Sequence, residues 1–185
     1  MLDRLLQWDR DAFIYLNGLG IEKYDVLWSV ITDFATWIPL FILFILLIFR
    51  AYPKREAYYV LGTVCLTITV VALFTGITKE LVARLRPGEE EGINSLIRIL
   101  RSPTGYSFFS GHASSSFSMT TSVFLFLRQR FTWAWLFFLW PIAFALSRIY
   151  VGVHFPLDLL VGAGVGIIFA ILFYRLYLGR FHKHG

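Results

Sequence analysis

Along most of this chain apolar residues come in runs too long and too uniform for one face of a soluble helix. The clearest run is 57–78, AYYVLGTVCLTITVVALFTGIT, which carries no charge over 22 residues. A bilayer core of about 30 Å takes about 20 helical residues to cross, so this run predicts a membrane helix. A second run, 26–49, ends in WIPLFILFILLIF and has Asp33 as an interruption near its start. Three shorter runs, 112–127, 131–147 and 156–174, reach spanning length only when polar residues at one end are included. The pattern predicts an all-α, polytopic membrane bundle of about five transmembrane helices, with residues 1–185 forming a single domain.

Two stretches follow another rhythm. Residues 2–18 alternate charge with Leu, Trp, Phe, Ile and Tyr, as expected of an amphipathic helix lying in the membrane interface. Within the long connection 84–109, INSLIRILR (93–101) places Ile93, Leu96, Ile97 and Leu100 at helical spacing and predicts a short surface helix.

Composition agrees with the pattern. The chain is 57% hydrophobic and 16% charged, against about 25% charged residues in a soluble domain. Its net charge of +5 comes without a long basic run or a stacking platform, so no nucleic-acid partner is expected. The basic residues instead form short clusters: Arg50, Lys54 and Arg55; Arg128 and Arg130; Arg175, Arg180 and Lys183. With five spans all three clusters fall on one side, which the positive-inside rule makes cytoplasmic, and the 84–109 connection faces outward. The single cysteine, Cys65, excludes an intrachain disulfide.

On the outward side three stretches carry candidate chemistry. In KELVARLRP, Lys79 and Arg86 are two helical turns apart and would share one face, with Pro87 ending the helix. Two such cations suit an anion such as phosphate, although snorkelling at a helix end explains the same residues. In YSFFSGHASSSFSMT, Ser110 is a suitable N-cap for a helix starting at Gly111 or His112. That terminus binds phosphate readily, and an ordinary cap with an interfacial histidine is the plainer alternative. Ser114, Ser115, Ser116 and Ser118 read as helix-packing residues. In SRIYVGVHFPLD, Arg148 ends one span, and His154 and Asp158 flank Pro156 at the start of the next. A carboxylate four residues from a histidine can hold one ring nitrogen and leave the other free to act; a capping Asp beside an unrelated His is the alternative.

Each stretch alone is weak, but the topology puts all three at one end of the bundle. Three cations, a helix N-terminus, two histidines and a carboxylate together describe phosphoryl transfer through a phosphohistidine. Lys79, Arg86 and Arg148 would hold the phosphoryl oxygens.

Lys79 separated by six residues from Arg86-Pro87, then Ser110-Gly111-His112, then Ser147-Arg148 separated by five residues from His154, which is separated by three from Asp158, resembles the type 2 phosphatidic acid phosphatase family. The motif region covers 79–158. The resemblance implies a lipid phosphatase of a bacterial cytoplasmic membrane acting on its outer face. In it His154 attacks phosphorus, Asp158 orients His154, and His112 protonates the leaving oxygen. Lys79, Arg86, Arg148, Ser110 and Gly111 bind the phosphate. The family needs no metal and no cofactor, and His182 and His184 lie in the tail away from the motifs. Implied substrates are undecaprenyl diphosphate, phosphatidylglycerol phosphate, phosphatidic acid or lipid A phosphates. Phe109 stands where the family's second motif usually has proline before Ser-Gly-His, which would loosen that turn. A lipid-to-lipid phosphotransferase would use the same phosphohistidine. A transporter or scaffold fits less well, because the charges cluster at one end rather than along the spans.

Overall fold

The computed structural model describes residues 1–181 and is all-helical. Seven α-helices follow in order: α1 (Leu2–Gly18), α2 (Asp25–Ile31), α3 (Ile38–Ala51), α4 (Lys54–Val82), α5 (Gly111–Leu127), α6 (Leu139–Tyr150) and α7 (Pro156–Phe181). Four stretches, Phe34–Ala51, Lys54–Glu89, Thr132–Tyr150 and Pro156–Arg180, are long and apolar enough to cross a membrane. The remaining expected span, 112–127, is α5, which has 17 residues, is not among these four and packs against α4 and α7.

The outer faces of α3, α4 and α7 expose Ile42, Leu46, Leu66, Leu73, Ile77, Ile168 and Leu172, the side-chain set that suits lipid. Inside, α5 meets α7 through small residues. A Cβ added at Gly162 would lie 2.7 Å from the Ser110 carbonyl, and one at Gly166 would lie 2.9 Å from the Ser118 amide. The two backbones therefore approach as closely as glycine permits. The serines of α5 suit this role because each donates to its own preceding turn: Ser114 to Gly111 O, Ser116 to Ala113 O and Ser118 to Ser115 O. Apolar association gives little driving force between helices in lipid, so this close packing is what holds the pair.

Two clusters fill the interior. The larger joins Phe44, Ile48, Val60, Val64, Phe126, Leu127, Trp140 and Phe144. Edge-on rings such as Phe44–Phe137 (4.7 Å) and Phe126–Tyr177 (4.9 Å) interlock there. The smaller packs Phe13 of α1 against Phe155, with Ile149, Leu159 and Ile93 around them. This second cluster brings α1 onto the ends of α6 and α7.

Three expectations are corrected. Residues 26–49 are not one helix: the chain breaks after Ile31, and Asp33 caps a 3-10 turn (Phe34–Trp37) by accepting the Ala35 N–H at 3.0 Å. Segment 93–101 is not a surface helix beyond a single 3-10 turn (Asn94–Leu96). Its backbone donors bond across the fold instead, Arg98 N to Asn17 Oδ1 at 2.7 Å and Leu100 N to Val151 O at 3.1 Å. Its apolar residues Ile93 and Ile97 serve the small core rather than a helix face. Lastly, α4 ends at Val82, four residues before Arg86: Ala83 takes left-handed φ 49° and Arg86 is extended. Lys79 and Arg86 therefore do not share a helical face.

The basic clusters Arg50/Lys54/Arg55, Arg128/Arg130 and Arg175/Arg180 all lie where α3, α5 and α7 end and α4 begins. Lys183, His182 and His184 lie outside the described residues.

Candidate active site

The antiparallel course of the bundle brings the ends of α4 and α6 to the starts of α5 and α7. Ser110 is fully buried as the N-cap of α5, its Oγ accepting the Ala113 N–H at 3.4 Å, while its own N–H donates to Asp158 O at 3.0 Å. Gly111 opens the helix and His112 follows, its ring between Phe34 (5.0 Å) and Phe144 (5.1 Å). The Phe108–Phe109 peptide is cis, and Phe109 is 2% exposed, with its ring against Phe74. Ser107 ties the same turn down, its N–H donating to Arg84 O at 2.8 Å and its Oγ to Leu85 O at 3.0 Å. Without proline, the turn is held by burial and hydrogen bonds.

The three cations reach this end by different routes. Lys79 donates to Tyr106 O at 2.6 Å. Arg86 crosses the loops, donating to Gly105 O (2.7 Å), Val153 O (3.1 Å) and Thr104 O (3.4 Å), which places its charge beside His154 despite the broken helix. Arg148 is 4% exposed; its Nη1 donates to Thr32 Oγ1 and its Nε is buried without a partner among the described residues. A buried, unspent guanidinium donor is costly unless something negative takes it up.

His154 and Asp158 are both buried, with Nδ1 3.4 Å from Oδ2. The same Oδ2 accepts the Phe155 N–H at 3.1 Å, so Asp158 both caps the start of α7 and holds the imidazole. Burial pushes His154 well below its ordinary pKa, and the charges of Arg148, Arg86 and Lys79 push the same way. A neutral imidazole with Nδ1–H against a carboxylate leaves Nε2 with a free lone pair, the state a nitrogen nucleophile needs.

Comparison with known proteins shows the family and the fold. A family model described as "PAP2 superfamily" matches residues 60–182. The chain belongs to the PAP2 superfamily. Among PAP2 relatives, the lipid A 4'-phosphatase of Porphyromonas gingivalis is 29% identical over 96% of this chain and 76% of its own length. That of Bacteroides thetaiotaomicron is 30% identical over 94% and 79%. An undecaprenyl-diphosphatase from Sulfolobus acidocaldarius is 33% identical over 68% of this chain and 56% of its own. The PAP2-type phosphatidylglycerolphosphate phosphatase of Bacillus subtilis shares the fold at TM-score 0.75 and 19% identity, covering 96% of this chain and 89% of that one. LpxE of Aquifex aeolicus does so at TM-score 0.62 and 27% identity, covering 89% and 93%.

Several residues at this candidate site were not singled out by sequence reasoning: Arg84, Asp9, Thr32, Phe34 and Phe144. Arg84 donates to Asp158 Oδ1 at 2.8 Å and to Asp9 Oδ2 at 2.7 Å. Asp9 had one legible sign, a charge on the amphipathic α1, and nothing in its neighbours separates it from Asp3 or Asp11.

Proposed function

We propose that this chain, a membrane lipid phosphatase of the PAP2 type, removes a phosphate monoester from a lipid A-type headgroup through a phosphohistidine on His154. The observation that carries the reading is the buried His154 with Asp158 Oδ2 3.4 Å from its Nδ1, in a setting where burial and three cations favour the neutral ring. His154 Nε2 attacks phosphorus as the P–O bond to the lipid breaks, and His112 gives the leaving oxygen its proton. Water, deprotonated by His112, then attacks the phosphohistidine and frees inorganic phosphate and His154. Lys79, Arg86 and Arg148 stabilise the equatorial oxygens, and the backbone at Ser110-Gly111 binds them at the α5 N-terminus.

The lipid A preference is supported by two relatives of that name aligned over nearly the whole chain. The basic clusters at the far end support a cytoplasmic location for that end and, with it, a site on the periplasmic face of a bacterial inner membrane. Phosphate release in detergent is expected to vanish in His154→Ala and to collapse in His112→Ala; wild-type rates in either refute these roles. Lipid A, undecaprenyl diphosphate and phosphatidylglycerol phosphate compared at equal surface concentration test the substrate, and faster turnover of either alternative refutes the preference. Labelled phosphate appearing in a second lipid rather than in solution would identify a phosphotransferase.

A further inference from the structure

Outside the motif residues, one line of charge runs from α1 to the reacting histidine. Asp9, 5% exposed on α1, accepts the Leu157 N–H on Oδ1 at 2.7 Å and Arg84 Nη2 on Oδ2 at 2.7 Å. Arg84 turns its other terminal nitrogen to Asp158 Oδ1 at 2.8 Å, and its Cζ lies 4.0 Å from the centre of the Phe155 ring. Oδ2 of Asp158 is left to the Phe155 N–H and His154 Nδ1.

We infer that Arg84 and Asp9 are positioning residues for phosphoryl transfer, acting on His154 through Asp158. The inference rests on the reading of His154 as nucleophile. Two physical arguments support it. Asp158 is fully buried, and an isolated carboxylate there is costly. One guanidinium forked between two carboxylates and stacked on Phe155 fixes Asp158 ionised and in one rotamer, which keeps the proton on Nδ1. Charge balance adds the second argument. Asp158 and Arg84 alone sum to zero, whereas with Asp9 the group carries one net negative charge. That charge lies on the Nδ1 side of a ring that becomes cationic as Nε2 bonds to phosphorus, opposing the cations that hold the phosphate.

A purely structural role, docking α1 on α7, would leave the chemical step untouched once the protein is folded. Asp9→Asn keeps an oxygen for the Leu157 N–H and removes the charge; Arg84→Gln removes the fork; Arg84→Lys keeps the charge but cannot bridge both carboxylates. Each is assayed in detergent on whichever panel lipid the wild type turns over fastest, with thermal unfolding alongside and His154→Ala as control. Partners that orient histidine ligands in metal sites are worth about 10–100-fold; on that scale kcat in Arg84→Gln is expected to fall by the same factor with KM within about twofold. Asp9→Asn is expected to lose about threefold or more, Arg84→Lys an intermediate amount, and the Asp9→Asn/Arg84→Gln double variant no more than Arg84→Gln alone. Wild-type kcat in Asp9→Asn and Arg84→Lys beside an inactive His154→Ala overturns the relay and leaves the nucleophile standing, even if Arg84→Gln does not fold. Additive losses in the double variant, or a loss confined to KM, overturn it as well. An active His154→Ala overturns the nucleophile and the relay together.

Discussion

Glycine 162 is the place where packing and chemistry meet most directly. Its added Cβ would lie 2.7 Å from Ser110 O, 3.3 Å from Ala113 Cβ and 3.4 Å from Ser114 N. Two of these atoms are backbone of the first turn of α5, so no side chain can swing aside. Restoring an ordinary contact of 3.4 Å takes a shift of about 0.7 Å between α5 and α7. Overpacking of this kind costs about 1–3 kcal/mol, and the rigid partners place Gly162→Ala in the upper half of that range. Alanine regains about 1 kcal/mol over glycine in a helix, leaving a net loss of about 1–2 kcal/mol. For a chain of this size that lowers Tm by roughly 2–8 °C. The larger effect is on rate, because the same shift separates Ser110 and His112 on α5 from His154 and Asp158 at the start of α7. A misplacement of about 1 Å at a reaction site can cost about 100-fold, so at least a tenfold fall in kcat is expected. Gly164, one turn-face away with nothing within 4 Å, is the internal control. Gly164→Ala should hold or raise Tm and leave kcat unchanged. Thermal unfolding and phosphate release from the same detergent preparations decide the matter. If Gly162→Ala matches Gly164→Ala in both, close α5–α7 contact does not set the site's geometry.

Asn17 is fully buried, donates to Arg98 O, Ile149 O and Tyr150 O and accepts from Arg98 N. Asn17→Ala leaves these groups unpaired at about 1–3 kcal/mol, and amide exchange at 97–101 should rise before that of α5. Phe34, partly buried, covers one side of the ring stack on His112; Phe34→Ala is expected to cost about 1–3 kcal/mol, less than a fully buried Phe, and to lower kcat, whereas Phe34→Leu should recover most of the stability and less of the rate. Because the pKa of His154 is lower folded than unfolded, the unfolded chain takes up the proton first. The associated stability is present above pH of about 6.5 and fades as pH falls below it. The Tm of the wild type should therefore fall relative to His154→Gln between pH 7.5 and 5.5, and a constant difference would show that His154 is not buried neutral.

What was legible in the sequence is mostly what is local. Ser110 as a cap, Asp158 four residues from His154, and Pro156 opening a helix depend on neighbours within one turn, and all three stand as read. Errors arose where distant atoms decided. No residue in LVARLRP announces the left-handed Ala83, and once α4 stops there Arg86 reaches the site by bonding to three loop carbonyls. Helical spacing in INSLIRILR was overridden by acceptors at Val151 and Asn17 that lie far away in the chain. Asp33 was legible as an interruption and not as a cap, because capping depends on where the preceding helix ends. Arg84 and Asp9 were invisible for a related reason: their partners, Asp158 and Leu157, lie more than 70 positions along the sequence.

The part of the chain that the PAP2 pattern matches begins at residue 60. Yet Asp9 holds Arg84 and an amide of α7, Asn17 holds the strand of loop carrying Arg98, Thr32 takes up Arg148, and Phe34 flanks His112. A fragment cut at the pattern's edge would carry every motif residue and lack the side chains of α1 and of 32–34 that hold or flank them. For anyone dividing, fusing or shortening this protein, the working unit is therefore larger than the recognisable one, and α1 is a component of it.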